Sequence, residues 1–259
     1  MFAPNTLAGR VAFVTGGATG LGLEIATQYA TLGASVMIAS RKEENLRKAV
    51  EEIGRITDRI DCTVLDVRDP AAVKSAIDRT VERFGALDIL VNGAAGNFVC
   101  PTAGLTPNGW KTVIDIDLNG TFYCCHAAYA HLKASSFGGR IISIVTMLGV
   151  TGWPGAAHAS AAKAGIIALS RTLAIEWGDD RIRVNTISPG PIGDTEGVRK
   201  MYEETGRGEL EQRRTALGRF GKRQDIAHAA TYLASDLADY VTGDNLVVDG
   251  GRWLKYVAA

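Results

Sequence analysis

Val11-Ala12-Phe13-Val14-Thr15-Gly16-Gly17-Ala18-Thr19-Gly20-Leu21-Gly22 joins a continuous apolar run to a glycine-rich turn. An amphipathic segment follows, with Ile25, Ala26, Tyr29, Ala30 and Leu32. A buried strand, a tight loop and a helix start in that order bind a pyrophosphate. The glycines let the backbone approach the phosphates, and the helix N-terminus offers free N–H groups and about half a positive charge. The stretch therefore predicts that Thr15, Gly16, Thr19, Gly20, Leu21 and Gly22 hold a dinucleotide.

Outward from it, residues 34–39 read as a second buried strand ending at Ser40-Arg41-Lys42. In a dinucleotide fold an acid at this strand end holds the 2′-hydroxyl of NAD, whereas an arginine accommodates the 2′-phosphate of NADP. No acid stands here. Arg41 can grip a phosphate through two parallel hydrogen bonds and Lys42 adds a point charge, so NADPH is the expected cofactor. Strand 60–65 delivers Asp66, placed to accept from an adenine amino group, and Val67. Asp69 and Pro70 read as a helix cap and first helical residue. Strand 87–91 leads into Asn92-Gly93-Ala94-Ala95-Gly96-Asn97-Phe98, and ligands of open α/β sheets bind outside such strand ends.

Helices are expected over 43–57, 71–84, 107–131, 156–177 and 225–235, and further strands over 140–145, 182–187 and 245–248. Residues 194–214 are charged and apolar-poor and read as a mobile helical flap. Seven strands alternating with helices make one α/β domain over 1–259, a doubly wound Rossmann arrangement with a parallel sheet and helices on both faces.

Composition narrows the function. Twenty-eight basic residues balance twenty-eight acidic ones, which argues against a nucleic-acid binder running on bulk charge. Cys62, Cys100, Cys124 and Cys125 match neither a zinc site nor a disulfide framework, so reduced thiols and no metal are expected. No signal peptide, membrane-spanning run or Ser-Lys-Leu address is evident, and a cytoplasmic protein is expected.

The residues resemble the short-chain dehydrogenase/reductase family across essentially the whole chain. Thr15-Gly16-x-x-x-Gly20-x-Gly22, Asn92-Gly93-Ala94-Ala95-Gly96, Pro189-Gly190 and Asp249-Gly250-Gly251 stand in that family's order. The resemblance adds Asn92, Ala94, Pro189, Gly190, Ile192 and Lys163 to the cofactor contacts, with the Lys163 ammonium on the nicotinamide ribose. It also implies a homotetramer built on helices about 108–134 and 156–178, where Ala161, Ala164, Gly165 and Ala168 form small faces that could equally pack inward. Three active-site positions depart from the family. Thr146 replaces the serine, Asp117 the asparagine, and Ala159 the tyrosine that is the general acid of ordinary members. An alanine transfers no proton, so simple ketone chemistry is disfavoured.

Asn97-Phe98, Asp117-Leu118-Asn119-Gly120-Thr121-Phe122, His158-Ala159-Ser160-Ala161-Ala162-Lys163 and Gly190-Pro191-Ile192 with Thr195-Glu196-Gly197 resemble the 2,4-dienoyl-CoA reductase branch, its peroxisomal type above all. The resemblance implies reduction of 2,4-dienoyl-CoA to 3-enoyl-CoA in the degradation of unsaturated fatty acids. Asn97 would donate to the thioester, and Asp117 with Lys163 would activate a water. Arg68, Arg199 and Lys200 would meet the CoA phosphates. Asp117 could instead bond its own helix backbone, and Phe98 could pack on the acyl chain or fill the core. Thr146 is a substrate-facing hydroxyl or a strand-end cap. His158 is expected to be an exposed loop residue. Two other readings stay open: a trans-2-enoyl-CoA reductase of the same branch, and a non-catalytic NADP(H)-binding protein.

Overall fold

The computed structural model describes residues 2–195, 198, 199, 202, 204 and 206–255. Its strands are β1 Val11–Thr15, β2 Ser35–Ser40, β3 Ile60–Val64, β4 Ile89–Asn92, β5 Gly139–Ile144, β6 Ile182–Pro189 and β7 Asn245–Val248. They form a seven-stranded sheet in the order β3-β2-β1-β4-β5-β6-β7, every pair parallel. The first strand is buried at all five residues, as a strand covered on both faces must be.

The α-helices are α1 Gly20–Thr31, α2 Glu43–Gly54, α3 Pro70–Phe84, α4 Pro107–Ile114, α5 Gly120–Lys133, α6 Leu148–Thr151, α7 Ala157–Glu176, α8 Gly208–Arg214, α9 Arg223–Ala234 and α10 Arg252–Lys255. On one face of the sheet Ile25, Tyr29, Leu46, Ile53 and Ile226 bring α1, α2 and α9 onto Val14, Ile38 and Ile187. On the other, Val73, Ile77, Cys125, Leu132 and Leu173 bring α3, α5 and α7 onto Phe13, Leu90 and Val184. Tyr29 is fully buried and its hydroxyl donates to the Ala230 carbonyl at 3.0 Å, which ties α1 to α9. All four cysteines are free, and burial pushes the Cys125 thiol up to about 12.

The chain leaves β1 for β2 and β3 on one side and returns to β4 on the other. At that switch point two outgoing loops diverge from neighbouring strand ends, which leaves a crevice for a ligand. Thr15 shapes its floor. The Thr15 hydroxyl accepts the N–H groups of Gly93 and Ala94 at 3.1 and 3.2 Å, so the two loops are held together at their roots.

Three elements differ from the sequence expectation. The helix expected over 107–131 is two helices, joined by a π turn at Asp115–Asn119. One extra residue per turn preserves an approximately helical apolar pattern, which is why periodicity misses it, and such turns frequently mark functional sites. In the flap, a short α-helix spans Gly208–Arg214. Helix α9 starts two residues earlier than Asp225, because the Asp225 carboxylate caps it by accepting the Lys222 N–H at 2.8 Å. The Asp69 carboxylate caps α3 by accepting from Ala71 and Ala72.

Candidate active site

A cleft of about 820 Å³ opens at the switch point. Its cofactor half is a cradle in which side chains do not fit. A Cβ on Gly22 would stand 2.3 Å from the Gly16 carbonyl oxygen, and one on Gly16, at φ +69°, would stand 2.7 Å from the Gly93 carbonyl oxygen. A Cβ on Gly20 meets nothing within 4 Å and would project into open space. Thr19 makes no side-chain cap to α1, so the first N–H groups of that helix are left to another acceptor. Uncapped N–H groups beside a glycine floor fit a pyrophosphate. Thr19, Leu21, Ser40, Arg41, Lys42, Asp66, Val67, Ala94, Pro189, Gly190 and Ile192 line the same cleft.

Several expected contacts stand elsewhere. Thr15 and Asn92 are buried behind the wall. Thr15 binds the 93–94 turn, and the Asn92 amide donates to Ser143 Oγ at 3.2 Å. Both act as supports for the loops that do reach the cleft. Asp66 accepts from Arg68 through Nε at 3.0 Å and Nη2 at 2.6 Å, and this guanidinium holds its carboxyl below the usual range. Arg68 is thereby folded onto Asp66 and does not line the cleft. Arg199 is exposed and paired with Glu204. Lys200, like Glu196 and Gly197 of the resemblance motif, lies outside the described residues. Asn45, from the first turn of α2, joins Arg41 and Lys42 in the lining. Its polar amide shortly after a basic pair was the available sequence signal.

The substrate half is organised on Lys163. Its Nζ donates to the Ile144 carbonyl at 3.2 Å and lies 3.0 Å from Asp117 Oδ2. Asp117 sits in the π turn, 1 % exposed, and its Oδ1 accepts the Gly96 N–H at 2.7 Å. The carboxylate is thus behind the cleft wall, bonded to another segment's backbone and to Lys163. It reaches the cleft only through that ammonium. The π turn is what aims it inward.

Asn97 lines the cleft from the loop after β4. Thr146 lines the cleft as well, and its Oγ1 accepts the N–H of Leu148, the first residue of α6, at 3.1 Å. Ala159 is buried in a small cluster with Val113 and Ala156, and Leu148 and Trp153 pack against it. Apolar side chains cover the position where ordinary members carry a tyrosine.

His158 corrects the sequence expectation. It is 0 % exposed, not a loop residue in water, because it lies in the first turn of α7 with its ring packed against Phe98. Its Nδ1 accepts the Ala159 N–H at 2.7 Å, which puts the ring proton on Nε2, a buried atom with no hydrogen-bond partner among the described residues. Phe98 meets the imidazole edge-on at 4.4 Å between centroids. Phe98 is 43 % exposed and absent from the cleft lining, so it braces the Asn97 loop on α7. Burial holds the His158 ring below its ordinary value, and the Asp117 charge opposes this in part.

Sequence reasoning did not single out Trp153, Tyr202, Arg252 or Trp253, which line the far side of the cleft. Trp153 sits in Gly152-Trp153-Pro154-Gly155, and an aromatic residue in a turn was the one signal on offer. On α7, Ala161, Ala164 and Ala168 face outward, whereas a Cβ on Gly165 would lie 2.9 Å from Leu118. No helix among the described residues is long and apolar enough to cross a membrane.

A parallel doubly wound sheet, a glycine cradle at its switch point and a lysine beside the catalytic end of the cleft define a nicotinamide-dependent oxidoreductase. Residues 16–252 match the family described as Enoyl-(Acyl carrier protein) reductase. This chain belongs to the short-chain dehydrogenase/reductase family. It is 42 % identical over 247 residues to a probable 2,4-dienoyl-CoA reductase, (2E)-enoyl-CoA-producing, of Bacillus subtilis, covering 95 % of this chain and 97 % of that one. It is 44 % identical over 265 residues to the peroxisomal 2,4-dienoyl-CoA reductase, (3E)-enoyl-CoA-producing, of Arabidopsis thaliana, covering 98 % and 88 %. The crystal structure of a short chain dehydrogenase from Bacillus anthracis is 40 % identical and superposes with a TM-score of 0.86 over 97 % of this chain and 98 % of that one.

Proposed function

We propose that this protein is an NADPH-dependent 2,4-dienoyl-CoA reductase. The observation that carries the reading is the buried Lys163–Asp117 pair standing beside an alanine at the tyrosine position. A site with no phenol four residues before its lysine but a held ammonium suits a substrate whose reduction needs an oxyanion stabilised more than an oxygen protonated. The glycine turn would hold the pyrophosphate of NADPH and Arg41 with Lys42 its 2′-phosphate, and the cofactor so held would supply the hydride for carbon 5 of the conjugated thioester.

Addition at carbon 5 moves the electron pairs along the diene onto the thioester oxygen as a dienolate. The Asn97 amide donates to that oxygen, and the Lys163 charge makes the site positive. A water on Lys163 Nζ, backed by Asp117, delivers a proton to carbon 2 and leaves the remaining double bond at carbon 3. Protonation at carbon 4 would leave it at carbon 2, so the product reports where the water sits. The chain acts as one domain, with 194–214 as a flap over the substrate. The exposed alanine face of α7 supports a homotetramer, and the reading includes a cytoplasmic location.

The test follows NADPH absorbance with trans-2,trans-4-hexadienoyl-CoA beside crotonyl-CoA, with NMR of the product. Oxidation with the diene alone, giving 3-enoyl-CoA, is expected. Equal rates with crotonyl-CoA would favour the enoyl reductase, and NADPH binding without any oxidation would favour a non-catalytic binder.

A further inference from the structure

The basic pair at the end of β2 has an acid beside it on the neighbouring strand. Ser40 pairs with Val64 in the sheet, and the Leu65 N–H donates to the Ser40 carbonyl at 2.9 Å. Arg41 and Asp66 are the next residues on these two adjoining strand ends, and both line the cleft with Lys42. Asp66 would cancel charge in that pair if its carboxylate were free to turn to it. It is not free. Arg68 Nε lies 3.0 and 3.1 Å from its two oxygens, Nη2 donates to Oδ2 at 2.6 Å, and the Arg68 N–H donates to Oδ1 at 3.1 Å. The carboxylates that follow the basic pair in the chain are occupied as well, Glu43 by Arg47 and Glu44 by Lys48, each at 2.6 Å. Among the described residues Arg41 and Lys42 are left without an ion-pair partner. Arg68 does most to hold the Asp66 carboxyl below its usual range, and the Arg41 charge adds to it, so these two groups lie within electrostatic reach.

Two parts of the cofactor make opposite demands on this corner. A carboxylate suits an adenine amino group, but its charge repels a 2′-phosphate and competes for the arginine that would hold it. A carboxylate already bonded to a guanidinium presents no net charge and can still accept from a further donor. Resting on the NADPH reading above, we propose that Arg68 is a specificity-determining positioning residue: by occupying Asp66 it leaves Arg41 and Lys42 to the 2′-phosphate. Arg68 thus sets the preference for NADPH over NADH without touching the phosphate. Adenine, the pyrophosphate and the nicotinamide half are common to the two cofactors, so a defect that merely loosens the 66–68 turn weakens both alike. A defect of charge separates them.

The experiment measures Kd for NADPH and for NADH by fluorescence titration at low ionic strength, so it needs no turnover. The proteins are the wild type, Arg68→Ala, Asp66→Asn and the double variant. The Arg68 and Asp66 side chains are 45 % and 32 % exposed, and a pair so exposed adds little to stability, so the variants fold. A melting curve checks this. Should Arg68→Ala not fold, Arg68→Gln removes the same charge and carries the same expectations. Repulsion between one carboxylate and a doubly charged phosphate within a Debye length is worth roughly fivefold in an equilibrium constant. Arg68→Ala is therefore expected to lower the preference for NADPH over NADH by about fivefold or more. Removing the Asp66 charge as well, in the double variant, should restore the preference to within about twofold of wild type, and Asp66→Asn alone should match or exceed wild type. An unchanged preference in Arg68→Ala, or an equal loss for both cofactors, overturns the proposal. So does a double variant as poor as Arg68→Ala, which would put Arg68 itself on the phosphate. A wild type that binds NADH as tightly as NADPH removes the 2′-phosphate reading at Arg41 and the proposal with it, whereas an intact wild-type preference confines any failure to Arg68.

Discussion

Replacing Asp117 by asparagine removes one charge and almost no volume from the centre of the site. The carbonyl of the new amide can still accept the Gly96 N–H that Asp117 takes at 2.7 Å, so the π turn keeps its anchor. Lys163, 3.0 Å from the other oxygen, loses its counter-charge where the two side chains are 8 % and 1 % exposed. Breaking a buried pair by deleting one partner costs about 3–5 kcal/mol, against a total stability of about 5–15 kcal/mol for a typical domain. The variant therefore folds with a lowered melting temperature. Positioned acid–base groups contribute roughly 10²–10⁴-fold. Asp117 acts from behind Lys163, so the lower figure applies: kcat with hexadienoyl-CoA should fall about 100-fold, or about 2.7 kcal/mol on the barrier. Affinity for NADPH should change little. The assay is steady-state oxidation at saturating substrates, beside a fluorescence titration of NADPH and a melting curve. A kcat within threefold of wild type refutes the proton route through the Asp117–Lys163 pair. A parallel loss of NADPH affinity instead makes Asp117 a support for the cofactor.

Arg41→Ala should raise KM for NADPH roughly ten- to a hundredfold, the value of one charge-assisted hydrogen bond, and leave KM for NADH nearly unchanged; an equal effect on both removes the 2′-phosphate assignment. His158 is neutral in the fold because burial lowers its ring, whereas in the unfolded chain it titrates near 6.5. Its contribution to stability is full above that value and declines as pH falls below it, since the unfolded state then takes up the proton more readily. His158→Gln, which does not titrate, should flatten the fall of melting temperature between about pH 7 and pH 5, and an unchanged slope places that titration in other groups.

Short-range pattern carried most of the fold. An apolar run before a glycine turn, or Asp69 ahead of Pro70, announces its local structure through contacts a few residues apart, and parallel order follows from strands that alternate with helices. The cofactor cradle was legible for the same reason, since its clashes arise between Gly16, Gly22 and a turn fixed by the adjacent strand. Identity alone already told that Ala159 cannot move a proton. What Ala159 touches was not legible, because Trp153 reaches it by packing and not by spacing.

Roles that depend on direction escaped the sequence too. Thr15 and Asn92 occupy family positions, yet their side chains turn back to hold loops. Arg68 folds onto Asp66, two residues away, although a rim site was expected. His158 was expected in water and lies in the core, since the way a ring faces at a helix start is set by tertiary packing, here against Phe98, and not by local pattern. Residue type and local order were enough for the sheet, its nucleotide turn and the missing acid. Packing alone set the Asp117 carboxylate behind Lys163 and brought Arg252 to Glu211. Partners 46 and 41 residues apart have no periodicity to betray them, and whether they pair depends on the burial that the whole fold imposes.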